Sequence, residues 1–254
     1  MSDVSCSYAK KSELKKKNRY RNIVPFDHNR VKLKMLDGQP SSDYINASFI
    51  PSYRPRSYLF IGAQGVKRET LNDFWRMVVE NETRIIVMLT MLKENNKEKC
   101  LKYWPDADEK KCEYGGTIVK FLSLERWLTY EIRKFSVKRS SVEFIVTHMW
   151  YTAWPDHGVP ENIGSLLNFR YHMWTLVSQL VASNKGNVSN VLVHCSAGVG
   201  RTGTLIGLDY LLEQSRETDA VDVAECLLYL RSHRNFMIQT LVSEFCYHIF
   251  FYLK

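Results

Sequence analysis

The sequence predicts a single α/β domain in which a twisted, mixed β-sheet is flanked by α-helices. The chain has 254 residues, a size that one hydrophobic core can still serve, and its 45% hydrophobic and 24% charged residues are typical of a globular domain. Apolar residues recur at helical spacing in some segments and in strand-like runs in others. A glycine-rich loop joins a short apolar strand to a helix in the second half of the chain.

We expect residues 1–254 to form one domain, because neither a linker-like segment nor an internal repeat interrupts them. Residues 1–11 are interpreted as a flexible lead-in. A helix is expected to begin near Ser12, with Glu13 in its first turn. No apolar run is long enough for a membrane-spanning helix, and the amino terminus lacks the apolar segment of a signal peptide. We therefore expect no direct membrane insertion of this chain.

The first half of the chain predicts one helix followed by a strand-rich region. Apolar residues recur at helical spacing over 70–80, and Thr70 with Asp73 resembles a capping box. A buried strand is expected over 84–90. Three runs rich in β-branched and aromatic residues then predict an antiparallel meander: 116–127, 130–138 and 142–151.

The second half of the chain is predicted to be mainly helical. One helical stripe is formed by Leu166, Phe169, Met173, Val177 and Leu180. A short buried strand over 191–193 follows. Three further helices are expected over 202–214, 221–232 and 239–252.

The segment 194–203, HCSAGVGRTG, carries the clearest chemical signal. Its glycines let successive N–H groups point into one concavity, and the helix that follows adds the positive end of its dipole. Such a loop binds an anion such as phosphate and favours the thiolate of a cysteine at its base. Cys195 is therefore a candidate nucleophile. Arg201 can present its planar fork to two phosphoryl oxygens.

Two nucleotide-binding motifs overlap this segment without fitting it. GVGRTG satisfies GxGxxG, but the dinucleotide fingerprint belongs to the first βαβ unit of a doubly wound domain. The chain after residue 203 is predicted to be helical, which leaves no second nucleotide-binding half. A nucleoside triphosphate loop requires lysine before Thr202, where this chain has Arg201.

Cys-x5-Arg followed by threonine resembles the active-site signature of the tyrosine-specific protein tyrosine phosphatases, and His194 before the cysteine strengthens the resemblance. Other segments resemble this family in the same order along the chain. They are the phosphotyrosine-recognition loop NRYRN at 18–22, the signature DYINAS at 43–48, the acid loop WPDHGVP at 154–160 and the start of the glutamine loop at 239–240. The resemblance covers residues 12–254.

The resemblance implies a hydrolase of phosphotyrosine in proteins with a cysteinyl-phosphate intermediate. Cys195 is then the nucleophile, Arg201 binds phosphate and stabilises the transition state, Asp156 is the general acid and base, and Gln239 positions the water. Substrate-binding residues are expected to be Tyr20, Asn22, Asp156, Cys195, Ser196, Ala197, Gly198, Val199, Gly200, Arg201 and Gln239. Supporting roles are expected for His194, which lies in the core, Thr202, which donates to the Cys195 sulfur, and Glu94 with Lys99, which orient the arginine and the acid loop.

Some positions depart from the family pattern. Ser243 stands where a second glutamine is usual, and Asn235 and Phe236 replace small or proline residues near the mouth of the slot. Asn22 stands where several members have aspartate, and Val66 replaces a common proline. A bulky Phe236 is expected to restrict which peptides approach.

Two other functions remain open on the sequence alone. A catalytically silent phosphotyrosine-binding module of the same fold usually lacks the nucleophile, the acid or the arginine, all of which are present here. Nucleic-acid binding depends only on the net charge of +8 and the amino-terminal lysines, so it is not expected. The expected partners are phosphotyrosine-containing proteins, with no cofactor and no metal. Six cysteines at irregular spacing favour a reducing, cytoplasmic location. A cytoplasmic protein and the intracellular domain of a larger receptor both fit this expectation.

Overall fold

The computed structural model describes residues 4–53, 59–155, 158, 160, 162–183 and 190–239. Four α-helices occur in this part of the chain: α1 Leu71–Glu80, α2 Ile163–Ser183, α3 Gly200–Thr218 and α4 Val223–His233. The strands are β1 Arg30–Lys32, β2 Tyr44–Pro51, β3 Leu59–Ala63, β4 Ile85–Met88, β5 Lys93–Glu94, β6 Lys97–Glu98, β7 Lys111–Tyr114, β8 Thr117–Arg126, β9 Tyr130–Arg139, β10 Val142–Tyr151 and β11 Val191–His194. Two short 3-10 helices cover Ser12–Lys17 and Arg68–Thr70.

Nine of the strands form one mixed sheet in the order β1-β2-β3-β11-β4-β10-β9-β8-β7. Its centre is parallel, because β11 lies between β3 and β4 and runs parallel to both, and β10 runs parallel to β4. The outer pairs are antiparallel. Strands β5 and β6 form a separate two-stranded hairpin.

The central strands are buried on both faces, as their continuous apolar sequences require. Alternate side chains enter two cores. Ile85 and Val87 pack with α2, α3 and α4 on one face, whereas Ile86 and Met88 pack with α1 on the other. The site-bearing strand β11 is therefore held between two apolar layers.

The predicted fold class is confirmed, and so are the meander, the buried strands and the helices within the described residues. The predicted stripe lies on α2, where Leu166, Phe169, Met173 and Val177 are buried. The helix predicted over 239–252 lies outside the described residues, apart from Gln239. No described helix combines the length and apolar character needed to cross a membrane.

The predicted capping box at Thr70 is wrong. The Thr70 hydroxyl accepts a hydrogen bond from the backbone N–H of Lys67, and Asp73 forms ion pairs with Lys17 and Arg76 instead. The amino-terminal turn begins at Ser12 as expected, but it is a 3-10 helix.

Part of the expected flexible lead-in is bound to the domain. The Asp27 carboxylate accepts hydrogen bonds from the backbone N–H groups of Ser7 and Tyr8 and from the Ser5 hydroxyl. Ala9 is buried. These contacts fix the chain from residue 5 onward, because they replace water at several polar groups at once.

Candidate active site

The loops that follow the central parallel strands meet at one edge of the sheet. His194, the last residue of β11, is paired with Ala63 of β3 and Met88 of β4, so Cys195 emerges beside Gln64 and Leu89. The carboxyl edge of parallel strands is the usual ligand-binding edge of an α/β sheet. Residues 195–201 are called the Cys195 loop below.

The Cys195 loop turns around its own sulfur. The backbone N–H of Gly198 donates to Cys195 Sγ at 3.2 Å, and Cys195 is buried. Gly198 has φ +73°, and a Cβ there would lie 2.2 Å from the carbonyl oxygen of Ala63, so only glycine fits. Helix α3 begins at Gly200, directly after the turn, and its amino terminus adds a positive dipole end.

Arg234 holds the back of this loop, a role that the sequence did not predict. It is fully buried, and its guanidinium donates to the carbonyl oxygens of Gly198 at 2.8 Å and Ala197 at 3.2 Å. It also donates to Asn46 Oδ1 and Ser48 Oγ in the DYINAS strand. In a planar peptide the carbonyl and the next N–H point in opposite directions, so carbonyls drawn toward Arg234 aim the following N–H groups into the cradle.

Burial lowers the pKa of Arg234 to about 10, which leaves the side chain charged at neutral pH. A buried charge of this kind persists because each of the three guanidinium nitrogens donates to an acceptor. The signal in the sequence was weak, since the partner residues 46, 48 and 197–198 are distant along the chain.

Arg201, at the end of the Cys195 loop, is held by the carboxylate of Glu94. Arg201 Nη1 lies 2.5 Å from Glu94 Oε1, and Nη2 lies 3.1 Å from Oε2, so the pair is bidentate. Glu94 ends strand β5, and the β5–β6 turn is Asn95-Asn96, with φ +48° and +60°. Two central residues with positive φ define the hairpin turn whose twist matches paired strands.

Glu94 is ionised in this setting. Burial alone would raise its pKa, but hydrogen bonds from Arg201, the Arg201 charge and donors at Met91 and Thr90 outweigh burial and hold the pKa below its ordinary value. Lys99 Nζ lies 3.9 Å from Glu94 Oε2. The structure therefore brings together Glu94, Lys99 and Arg201, as the resemblance implied.

Arg201 also reaches the start of the acid loop. Its Nη2 donates to the carbonyl of Pro155 at 3.1 Å, and its Nη1 donates to that of Leu89 at 3.2 Å. The guanidinium lies 5.9 Å from the centre of the Trp154 ring, and Trp154 Nε1 donates to Gly158 O. Asp156, the predicted general acid, lies outside the described residues.

Tyr20 lies at the mouth of the site. Its hydroxyl is 3.0 Å from Ser196 Oγ of the Cys195 loop. The preceding residues are anchored, because Arg19 N–H donates to Gln64 Oε1 and the Arg19 guanidinium donates to the carbonyls of Gly65 and Val66. Asn22, two residues after Tyr20 in the chain, is exposed.

His194 is one end of a buried hydrogen-bonded chain. Its Nδ1 lies 3.3 Å from the Cys195 carbonyl, which only accepts, so the proton is on Nδ1 and Nε2 accepts from the Tyr103 hydroxyl at 2.7 Å. The Tyr103 oxygen then accepts from His148 Nε2 at 2.8 Å. Burial lowers the pKa of His194 to about 4 and that of His148 well below its ordinary value, so both imidazoles are neutral.

Tyr103 and His148 were not predicted, because their partners are set by sheet packing. The backbone contact expected for His194 is present. The Thr202 hydroxyl does not make the expected bond to sulfur: it is buried and has no hydrogen-bond partner among the described residues. The Sγ atom instead receives the Gly198 N–H.

Gln239 directly follows Ile238, whose backbone N–H donates to the Val199 carbonyl at 2.9 Å. This hydrogen bond joins the backbone next to Gln239 to the Cys195 loop. The Gln239 side chain is exposed. Ser196, Ala197, Val199 and Gly200 form the remainder of the turn, and Val199 is buried. Phe236 is exposed and has φ +62°. Ser243 lies outside the described residues.

No three His, Cys, Asp or Glu side chains in the described ranges lie close enough together to hold a metal ion. The arrangement therefore combines a sulfur that receives the Gly198 N–H, the amino terminus of α3 and the guanidinium of Arg201, which Glu94 holds.

Comparison with known proteins agrees with this geometry. Residues 14–252 match the family model described as protein-tyrosine phosphatase. The chain is 41% identical over 244 residues to human receptor-type tyrosine-protein phosphatase alpha. The alignment covers 93% of the chain and 29% of that protein. It is also 41% identical over 248 residues to tyrosine-protein phosphatase 99A of Drosophila melanogaster, covering 94% of the chain and 18% of that protein. The chain thus spans less than a third of the length of these relatives.

Proposed function

Because the chain belongs to the protein-tyrosine phosphatase family, we propose that it hydrolyses phosphotyrosine in proteins through a cysteinyl-phosphate intermediate. The observation that carries the proposal is the Cys195 loop itself. In this short turn the Cys195 sulfur receives the Gly198 N–H. The amino terminus of α3 follows directly, and the Arg201 guanidinium at the end of the loop is held by Glu94. This is an anion site with a nucleophile at its base.

In the first step, the Cys195 thiolate attacks phosphorus in line, an S–P bond forms and the P–O bond to the tyrosine breaks. Asp156 donates a proton to the departing tyrosyl oxygen. Arg201 and the N–H groups of the loop hold the equatorial oxygens, where negative charge is spread in the transition state.

In the second step, water attacks phosphorus and the S–P bond breaks, which releases inorganic phosphate and restores the thiolate. The Asp156 carboxylate accepts the proton of the water, and Gln239 positions that water. The role of Gln239 is supported by the Ile238–Val199 bond, which holds its backbone beside the loop. The roles of Asp156 and Gln239 come from the sequence motifs.

Selectivity for tyrosine is assigned to Tyr20 and to the depth of the slot that it borders. A phenyl ring carries its phosphate farther from the peptide backbone than serine does, so a deep slot excludes the shorter side chain. The Tyr20 hydroxyl beside Ser196 supports a wall at that place, and Asn22 supplies an exposed amide for the peptide backbone.

We further propose that residues 1–254 act as one catalytic domain and that it works in a reducing, intracellular compartment. Among the described residues, Cys6, Cys100, Cys112 and Cys195 are free thiols. A nucleophilic thiolate requires such a compartment, because oxidation removes it. The partners are phosphotyrosine-containing proteins.

The test is turnover of a phosphotyrosine peptide by the purified chain, with Cys195→Ser and Asp156→Ala in parallel. We expect Cys195→Ser to abolish turnover and Asp156→Ala to lower kcat by about 10²- to 10⁴-fold, the usual contribution of a general acid. Peroxide should inactivate the wild-type chain, and a thiol should restore it.

Cys112→Ser, which changes a cysteine on the edge strand β7, is the matched control and should retain wild-type turnover. Full activity of Cys195→Ser would contradict the nucleophile assignment. A wild-type chain that binds the peptide without hydrolysing it would instead identify a silent phosphotyrosine-binding module.

A further inference from the structure

The segment that leads into Gln239 has a backbone conformation that its residues do not favour. Phe236 and Ile238 both have positive φ, +62° and +57°. For a bulky or β-branched side chain this left-handed region is a genuine outlier, because the Cβ atom crowds the neighbouring carbonyl oxygen. Such a conformation persists only where the surrounding contacts fix it.

Arg231 of α4 supplies two of these contacts. Its Nε donates to the carbonyl of Met237 at 3.1 Å, and its Nη2 donates to the carbonyl of Ile238 at 3.1 Å. The carbonyl of Ile238 belongs to the same peptide group as the N–H of Gln239. One planar guanidinium therefore fixes two consecutive carbonyls, which the single ammonium group of a lysine does not reproduce.

A third contact joins the same segment to the Cys195 loop. The N–H of Ile238 donates to the carbonyl of Val199 at 2.9 Å. Because a peptide group is planar, the one between Met237 and Ile238 is fixed at its carbonyl and at its N–H, and the next one is fixed at its carbonyl. Arg231 and the loop together set the direction in which the chain enters Gln239.

Helix α3 leaves room for this arrangement. A Cβ at Gly203 would lie 2.6 Å from the nitrogen of Ile238, and a Cβ at Gly207 would lie 3.0 Å from its Cδ1. Residues four apart lie on one face of a helix, so Ile238 packs on the glycine face of α3. This helix begins at the Cys195 loop, which couples the position of Ile238 to that of the loop.

We propose that Arg231 is a positioning residue for Gln239 and that it serves the second step of the reaction. The inference rests on the proposed two-step hydrolysis. In the second step water attacks phosphorus, an O–P bond forms, the S–P bond breaks and the proton of the water passes to Asp156. The first step uses no water, so loss of the Arg231 contacts should slow the second step selectively.

The experiment separates the two steps with p-nitrophenyl phosphate, whose first step releases coloured nitrophenol. With this substrate kcat/KM reports the first step, and kcat reports the second step once that is the slower one. Arg231→Met keeps a long side chain and removes the donors. The second step should slow by about 10- to 100-fold, as expected for a misplacement of about 1 Å, while kcat/KM stays within about threefold of the wild-type value. Stopped-flow measurements should then show a burst of nitrophenol equal to the active-site concentration.

Two further variants test whether Arg231 acts through Gln239. Arg231→Lys keeps the charge and can donate to one of the two carbonyls, so it should show the burst with a smaller loss of kcat. This variant decides the question if Arg231→Met does not fold. The double variant Arg231→Met/Gln239→Ala should be no slower in the second step than Gln239→Ala alone, because both changes remove the same function.

The matched control is Arg126→Met, which removes an exposed arginine at the end of β8 and makes the same change in net charge. Its two steps should have wild-type rates. Equal losses of kcat and kcat/KM in Arg231→Met, without a burst, would overturn the inference, because a merely structural defect lowers the amount of active enzyme. Additive effects in the double variant would also overturn it. If the wild-type chain hydrolyses no phosphate ester at all, the proposed function itself fails, and this outcome is distinct from the others.

Discussion

Two glycines of the Cys195 loop differ in what they tolerate. At Gly198 a Cβ would lie 2.2 Å from the Ala63 oxygen and 2.8 Å from the Gln64 nitrogen, and φ is +73°, whereas at Gly200 a Cβ would meet nothing within 4 Å. Gly198→Ala should therefore lower the free energy of unfolding by more than about 2 kcal/mol, since strain and overlap with backbone add.

Thermal unfolding followed by circular dichroism measures this difference. Gly200→Ala is the control at the same loop and should unfold at the wild-type temperature or slightly above it, because alanine restricts the unfolded chain and suits a helix start. Equal midpoints for the two variants would contradict the steric assignment of Gly198.

Residues also differ in how far the sequence reveals them. Cys195 and Arg201 lie in one motif whose spacing predicted their grouping, whereas the place of Glu94 beside Arg201 was implied by the family resemblance. The structure brings Glu94 and Arg201 together. Arg234 and Tyr103 were not predicted. Arg234 donates to backbone carbonyls of the Cys195 loop, and Tyr103 binds the imidazoles of His148 on β10 and His194 on β11. These contacts depend on how distant segments pack together, which local sequence patterns do not encode.

Among the elements, the β5–β6 hairpin illustrates how a short turn supports the site. Asn95 and Asn96 both have positive φ, so a β-branched residue at Asn96 would strain the turn by about 1–2 kcal/mol. Asn96→Val should loosen Glu94 and with it the Arg201 fork, which should lower kcat for a phosphotyrosine peptide severalfold.

Asn96→Gly keeps the turn geometry and provides the comparison, with kcat and thermal midpoint expected near those of the wild-type chain. The same steady-state assay and melting experiment serve for both variants. If valine and glycine at this position behaved alike, the hairpin would not be what holds Glu94.

Helices and strands were predicted well where their apolar residues recur with a clear period. The three strands of the meander were predicted close to their observed bounds, and the predicted helical stripe lies within α2. The amino-terminal strands β1 to β3 were not assigned, because β2 combines apolar residues with the buried polar Asn46 and Ser48 and shows no simple alternation. Those polar residues are buried because Arg234 satisfies them, which is tertiary information.

For the whole molecule, the buried histidines predict sensitivity to acid. His194 and His148 have folded-state pKa values below the ordinary value of about 6.5, so the unfolded chain binds more protons as the pH falls. The free energy of unfolding is therefore highest above about pH 6.5 and should fall between there and about pH 4, by up to about 1.4 kcal/mol per pH unit for each histidine.

Urea unfolding at a series of pH values between 7 and 4.5 measures this slope. His148→Gln keeps an amide donor for Tyr103 and cannot take up a proton, so its slope should be smaller than that of the wild-type chain. His28→Gln removes an exposed histidine and serves as the control. The assignment to the buried chain would be wrong if both variants changed the slope equally.

The position of β11 between β3 and β4 bears on how the chain folds during synthesis. Its two neighbours, β3 and β4, are synthesised long before β11. Each therefore has an unpaired, apolar edge until β11 has been synthesised and has paired with both. Open edges of this kind favour aggregation, and contacts so distant in sequence form slowly. Among the described strands, β11 is therefore the last in the chain to join the sheet. A polypeptide that stops before β11 lacks Cys195 and leaves the centre of the sheet unpaired, and we expect cellular quality control to treat it as unfolded.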